Sequence, residues 1–196
     1  SVISKQSNIM NYAKIIGTGS YLPRNVLSNK DLERLVDTSD EWISSRTGIN
    51  SRHIASAHET VTSMAEIASK NALEMAQIEP NQIDLIIVAT CTPENFFPST
   101  ACLLQHRLKI PTCIAFDMSA ACSGFIYALA TAEQYIRSGA VKRALVVGSE
   151  VMSRVMDWKD RNTCILFGDG AGAVLLTQAN EPGIIDSQLG ANGTEK

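Results

Sequence analysis

Histidine is scarce in this chain: His53, His58 and His106 are the whole supply among 196 residues. No two of them stand at a usual metal-ligand spacing, which argues against a zinc site. Cysteine pairs are missing as well. Cys91, Cys102, Cys113, Cys122 and Cys164 make an odd count with no CxxC among them. A disulfide framework is therefore not expected, and a reducing cytoplasm is the compartment this usage favours. Charge runs are absent too: 17 basic and 20 acidic side chains give a formal charge of −3. That balance leaves no footprint for nucleic acid. No stretch approaches the length of a membrane span, and the opening SVISKQSNIMNYAK lacks the apolar core of a signal peptide. Residues 1–11 are expected to be an extension or tag, with Met10 as a candidate natural start. Repeats, low-complexity tracts and linkers are not found.

What is present is a chain with 45% hydrophobic and 19% charged residues, the composition of a globular protein. Short apolar runs alternate with longer amphipathic ones. AKIIGTGSYLP opens as a strand, and SNKDLERLV is a short helix with Ser28 as N-cap. TSDEWISSR is a second helix, in which Thr38 and Glu41 have capping-box spacing and Gly48 gives the stop. Over residues 60–78, Val61, Met64, Ala68, Ala72 and Met75 share one helical face and are expected in the core. IDLIIVAT suits a strand buried on both faces. STACLLQHRL is a helix capped by Ser99, CIAFDM a strand, and 122–138 a long helix ended by Gly139. RALVVGSE and AGAVLLTQ are further strands, with GIIDSQL a candidate last one. Strands alternating with helices predict an α/β fold around a mostly parallel sheet.

In such sheets ligands gather at the carboxyl ends of strands, which is where Cys122 falls, just after CIAFDM. Unsatisfied N–H groups and the positive end of a macrodipole at a helix start stabilise a thiolate, the nucleophilic form. Ala120, Ala121, Ser123 and Gly124 permit a tight strand-to-helix turn, similar in logic to the nucleophile elbow of serine hydrolases. A buried structural cysteine is the other reading, and local context leaves the two even. For Cys102 and Cys113, inside a helix and a strand, the structural reading is preferred; Cys91 and Cys164, near strand ends, stay open. GTGSYL lacks the third glycine of a dinucleotide fingerprint, and FGDGAGAVLL fits no phosphate loop. Trp42 and Arg46, four apart on one helix, can hold a flat base by stacking and a phosphate by charge. A core tryptophan beside a solvated arginine is the ordinary alternative. No partner pattern around the histidines supports a Cys-His protease.

Together KIIGTGSYLP, VDTSDEWISSRTGI, AACSGFIYALATAEQYIRSG and LFGDGAGAVLL closely resemble the bacterial β-ketoacyl-acyl-carrier-protein synthase III family of the thiolase superfamily, in order from about Tyr12 onward. The resemblance implies a thiolase-like fold and the initiating condensation of fatty-acid synthesis. An acyl group from acyl-CoA, typically acetyl, loads onto Cys122, and malonyl-acyl-carrier protein then decarboxylates and attacks the thioester. Coenzyme A thioester is a substrate there, and no cofactor or metal is implied. By the same resemblance Trp42 and Arg161 sandwich the CoA adenine, Thr38 and Arg46 bind around its base and phosphate, and Phe97 reaches across a homodimer into the partner's acyl pocket. The family's catalytic His and Asn lie in its second half, whereas this chain stops at ANGTEK; residues 12–196 are thus expected to be the N-terminal thiolase-like domain of a longer enzyme, inactive alone. Ser119 and Ser123 stand where the family often has alanine. Two alternatives are another thiolase-superfamily condensing enzyme of quinolone or polyketide type and a non-catalytic acyl-CoA or carrier-binding module.

Overall fold

The computed structural model describes residues 11–194. The extension expected over residues 1–11 lies outside them apart from Asn11. In chain order the strands are β1 (Tyr12–Tyr21), β2 (Asn25–Ser28), β3 (Ser51–Ile54), β4 (Leu85–Ala89), β5 (Ile114–Met118), β6 (Arg143–Val151) and β7 (Asp169–Ala179). The helices are α1 (Asn29–Leu32), α2 (Asp40–Thr47), α3 (Val61–Ala76), α4 (Thr100–Arg107) and α5 (Gly124–Arg137).

Five strands form one sheet in the order β1-β7-β6-β4-β5. The sheet is mixed rather than mostly parallel. β4 runs parallel to both β5 and β6, each reached through a helical crossover, whereas β6, β7 and β1 pair antiparallel. The excursion from β6 to β7 contains no crossover helix, so β7 returns beside β6 in the opposite sense. A separate two-stranded sheet of β2 and β3, absent from the sequence reading, closes around α1 and α2.

Burial on both faces explains the continuous apolar run of β4, every residue of which is buried. Ile86 and Val88 face the layer of α3 and α4, with Met64, Ala68 and Leu104. Leu85 and Ile87 face α5, with Ala128, Ala132 and Ile136. α3 lies almost on the backbone of β1: a Cβ added to Gly19 would meet Ala68 O at 2.1 Å and Ala72 N at 2.5 Å. That approach needs alanine on the helix and glycine on the strand.

Local signals held at several ends. Ser28 caps α1, accepting from Asp31 N, and Ser99 caps α4, accepting from Cys102 N. Gly48 ends α2 in the left-handed region at φ 71°. Other expectations are corrected. Ser39, not Thr38, caps α2, because its Oγ accepts the Trp42 N–H at 3.1 Å. Met75 is 65% exposed; it lies at the rim of the tight α3–β1 contact, where its Sδ accepts from Thr18 N. Cys102 is exposed, since α4 buries only the face of Thr100, Ala101 and Leu104. Cys113 is half-buried and precedes β5 rather than lying within it. GIIDSQL forms no strand; one bond, Ile184 N to Ala13 O at 2.8 Å, ties it to β1.

Candidate active site

Cys122 sits in a single 3₁₀ turn, Ala121–Ser123, and α5 begins only at Gly124. The turn is forced. Ala121 takes φ +47°, a left-handed conformation that costs an L-residue about 1–2 kcal/mol. Strain of this kind collects at functional turns. Ser123 provides no side-chain cap, so the first N–H groups of α5 have no side-chain acceptor. Cys122 itself is exposed.

The thiol borders a cavity of about 650 Å³ at the carboxyl ends of β4 and β6. Its walls are largely apolar, with Leu22, Ala89, Phe125, Met152 and Phe167 contributing, and Cys91 and Glu150 also face it. Such a volume and lining suit a small hydrophobic group held beside a nucleophile.

Glu150 was not singled out by sequence reasoning, although its place at the end of a buried strand was the available signal. Its carboxylate organises the loop after β4. Oε1 accepts the Cys91 N–H at 2.7 Å, and Oε2 accepts Thr90 Oγ1 at 3.1 Å and also Thr92 Oγ1. Thr92 Oγ1 in turn accepts Val151 N at 2.9 Å. Beside it, buried Asp169, paired with Val151 at the start of β7, accepts Ala55 N at 2.7 Å, Ser153 N at 2.9 Å and Ser153 Oγ at 2.6 Å.

Two other thiols are poor candidates. Burial pushes Cys113 up to about 11, with Cys102 and Asp84 adding to the effect. Cys164 is fully buried, and burial likewise raises its pKa. Among the described residues no cluster of three metal-ligating side chains occurs, and no helix is long and apolar enough to cross a membrane.

A second cluster forms around Trp42. The Arg46 guanidinium lies 4.7 Å from the indole centroid and Arg161 lies 5.1 Å from it. The fold thus brings three of the expected residues together although Arg161 is remote in sequence. Arg161 Nη1 also donates to Asp37 O at 2.9 Å. Thr38 Oγ1 is buried with no hydrogen-bond partner among the described residues, an unpaired hydroxyl beside α2. Trp42 packs on Leu32, Ile43, Cys164 and Ile165. Phe167, two residues past Ile165, reaches the Cys122 cavity, so one segment supports both clusters. Phe97 is not brought to the cavity of its own chain; it is 85% exposed on the loop between β4 and α4.

A cysteine on a strained turn after the edge strand β5, at an apolar cavity in a layered fold built on a five-stranded sheet, fits the thiolase-like folds as the class. Comparison with known proteins narrows it. Residues 116–193 match the family model of 3-oxoacyl-[acyl-carrier-protein] synthase III. The β-ketoacyl-[acyl-carrier-protein] synthase III of Methylococcus capsulatus is 62% identical over 182 residues, covering 93% of this chain and 57% of that protein. The crystal structure of the Aquifex aeolicus 3-oxoacyl-[acyl-carrier-protein] synthase III superposes with a TM-score of 0.85 at 59% identity, over 86% of this chain and 55% of that one. The priming β-ketosynthase of the R1128 polyketide pathway gives 0.86 at 41% identity, over 88% and 52%. Nearly the whole chain is thus similar to β-ketoacyl-acyl-carrier-protein synthase III proteins, and it spans little more than half the length of the curated relatives it matches.

Proposed function

We propose that this chain carries the acyl-accepting part of a β-ketoacyl-acyl-carrier-protein synthase III, and that Cys122 is its nucleophile. The observation that carries this reading is an exposed thiol on a strained turn at the mouth of an apolar cavity. The Cys122 thiolate attacks the carbonyl carbon of an acyl-CoA, a new C–S bond forms, and coenzyme A leaves as its thiolate. The acyl chain occupies the apolar cavity. The resulting thioester remains electrophilic enough for attack by carbon, which is why sulfur serves here. Malonyl-acyl-carrier protein is the second substrate, losing carbon dioxide as its carbanion attacks the acyl group. Donors for the oxyanions formed in both steps come, by family resemblance, from a His and an Asn, and neither His53, His58 nor His106 fills that position. Residues 12–196 act on this reading as the N-terminal domain of the whole protein, which works in the cytoplasm and needs no cofactor or metal.

The adenine of coenzyme A is assigned to the face of Trp42, with Arg161 closing over it and Arg46 and Thr38 around the base and phosphate. The guanidiniums of Arg46 and Arg161 beside the indole support this. A base needs about 7 Å between two stacking planes, two contacts of roughly 3.5 Å each. Arg161 at 5.1 Å must therefore yield before the base enters. A homodimer is proposed from the edge position of β5 and the projection of Phe97, whose ring would line the partner's pocket.

The likeness to a polyketide priming ketosynthase favours one competing reading, a starter-loading step of polyketide synthesis. An acyl-CoA panel with malonyl-acyl-carrier protein against malonyl-CoA as extender separates the two. Product only from malonyl-acyl-carrier protein with a short acyl primer supports the fatty-acid reading; product only from malonyl-CoA overturns it.

A further inference from the structure

We propose that Cys91 is a resolving thiol for Cys122, so that oxidation of the cavity by a hydroperoxide ends in a reversible Cys91–Cys122 disulfide instead of irreversible loss of the nucleophile. The proposal rests on the same cavity as the functional reading, but it needs only the two thiols and no acyl transfer. Of the five cysteines, Cys91 and Cys122 alone line this cavity, and both are exposed.

Their backbones leave adjacent parallel strands side by side. Ala89 of β4 pairs in register with Met118 of β5, and the next N–H along, that of Thr90, donates to Met118 O at 3.2 Å. Two residues beyond Ala89 is Cys91. From the other strand the chain turns back through Cys122, and a Cβ on Gly124 would stand 3.4 Å from the Ala89 Cβ. Both thiols are thus two residues from one contact. The Glu150 carboxylate holds the Cys91 N–H and the hydroxyls on either side of it, so this segment is fixed against β6 and its thiol is kept at the cavity.

The chemistry balances with a hydroperoxide as oxidant. The Cys122 thiolate attacks the peroxide oxygen, the O–O bond breaks, and sulfur is oxidised by two electrons to sulfenic acid while the peroxide is reduced to water or an alcohol. Cys91 sulfur then attacks Cys122 sulfur, the S–S bond forms and the S–O bond breaks. Hydroxide leaves and takes up the Cys91 proton as water. A dithiol reductant reverses the bond by exchange. Without Cys91 the sulfenic acid has no neighbouring thiol in the cavity, and further peroxide takes it to sulfinic acid, which dithiols do not restore.

The test uses the whole protein, reduced and then exposed to hydrogen peroxide without acyl-CoA. Free thiols are blocked with N-ethylmaleimide. Digestion with trypsin and a protease cutting after Glu94 and Asp117 separates Cys91 from Cys102 and Cys113 from Cys122. The expected product is a Cys91–Cys122 peptide pair lighter by two hydrogen atoms and split by dithiothreitol. In Cys91→Ser the same treatment puts two oxygen atoms on Cys122, and dithiothreitol recovers at least about tenfold less alkylatable Cys122 than in the unaltered protein. Sulfinic acid on Cys122 with Cys91 still free to alkylate, in the unaltered protein, overturns the proposal, as does a bond from Cys122 to any other cysteine. Acetyl loading is scored separately. A protein that forms the link but takes no acetyl group upholds the thiol pair and refutes the acyl reading; one that takes acetyl but forms no link does the reverse.

Discussion

Removing the Trp42 indole should weaken acyl-CoA use while the protein still folds. The size of the effect follows from the geometry. Two guanidiniums lie 4.7 and 5.1 Å from the centroid of the Trp42 ring, and part of its surface packs on a small apolar cluster. Stacking a base on an aromatic ring contributes about 1–3 kcal/mol by alanine substitution. At about 1.4 kcal/mol per tenfold, Trp42→Ala should raise the acyl-CoA KM about 5- to 150-fold. Turnover at saturating acyl-CoA should change much less, because the adenine is remote from the reacting carbon and its binding is uniform between ground and transition state. Trp42→Phe keeps a stacking face and should fall between the two. The assay is steady-state condensation by the whole protein over a range of acetyl-CoA, with thermal unfolding run beside it. An unchanged KM in a Trp42→Ala protein that melts normally would refute the assignment, and Trp42 would then be a core residue only.

Three further expectations come from other parts of the fold. Gly19→Ala places a methyl group 2.1 Å from the Ala68 carbonyl oxygen, so α3 must move off β1; overpacking of this kind costs about 1–3 kcal/mol, and a urea midpoint equal to that of the unaltered protein would contradict the contact. The Asp40 carboxyl is held below its usual range first by Asn29 Nδ2, at 2.8 Å, and then by Ser44 Oγ. With the folded value depressed, the stability it contributes is complete above its unfolded pKa of about 3.9 and is lost as pH falls through the lower folded value. Asp40→Asn should therefore lose less stability between pH 5 and pH 2, read as urea midpoints, and equal losses would count against the bond. Asp117, at the end region of β5, accepts Thr100 N at 2.8 Å and Ala101 N at 2.7 Å. Asp117→Ala should lower stability by about 1–2 kcal/mol by leaving the N–H groups of buried Thr100 and Ala101 at the start of α4 without their acceptor, and no change would show that water replaces the carboxylate without loss.

Features encoded within a few residues were legible in the sequence. Ser28, Ser99 and Gly48 act through bonds to their own helices, so their spacing revealed them. Choosing Thr38 over Ser39 shows the margin: both are hydroxyl residues before an acidic turn, and only the backbone direction decides which one faces Trp42 N. Strand direction was not legible, because antiparallel return of β7 depends on a connection without a helix and on pairing with β1 from the far end of the chain. The β2–β3 pair was missed for the same reason: four-residue strands separated by two helices leave no local pattern. At the site, the small neighbours of Cys122 mark its turn but leave the role of the thiol open, and the resemblance alone singled it out. Glu150 and Cys91 were hidden in their roles, since the parallel register of β4 with β6 and β5 brings them to the cavity. Trp42 and Arg46 could be paired from helical spacing, whereas Arg161 joins them only through the fold.

The central claim is that Cys122 accepts an acyl group. Its most direct test is mass spectrometry of the whole protein after exposure to acetyl-CoA, with peptides mapped under conditions that preserve thioesters. One acetyl group on Cys122, lost in Cys122→Ala and displaced by hydroxylamine, is the predicted result. An acetyl group on Cys91 or Cys164 with Cys122 unmodified would contradict the account, as would a protein that condenses acetyl-CoA with malonyl-acyl-carrier protein after Cys122 has been replaced.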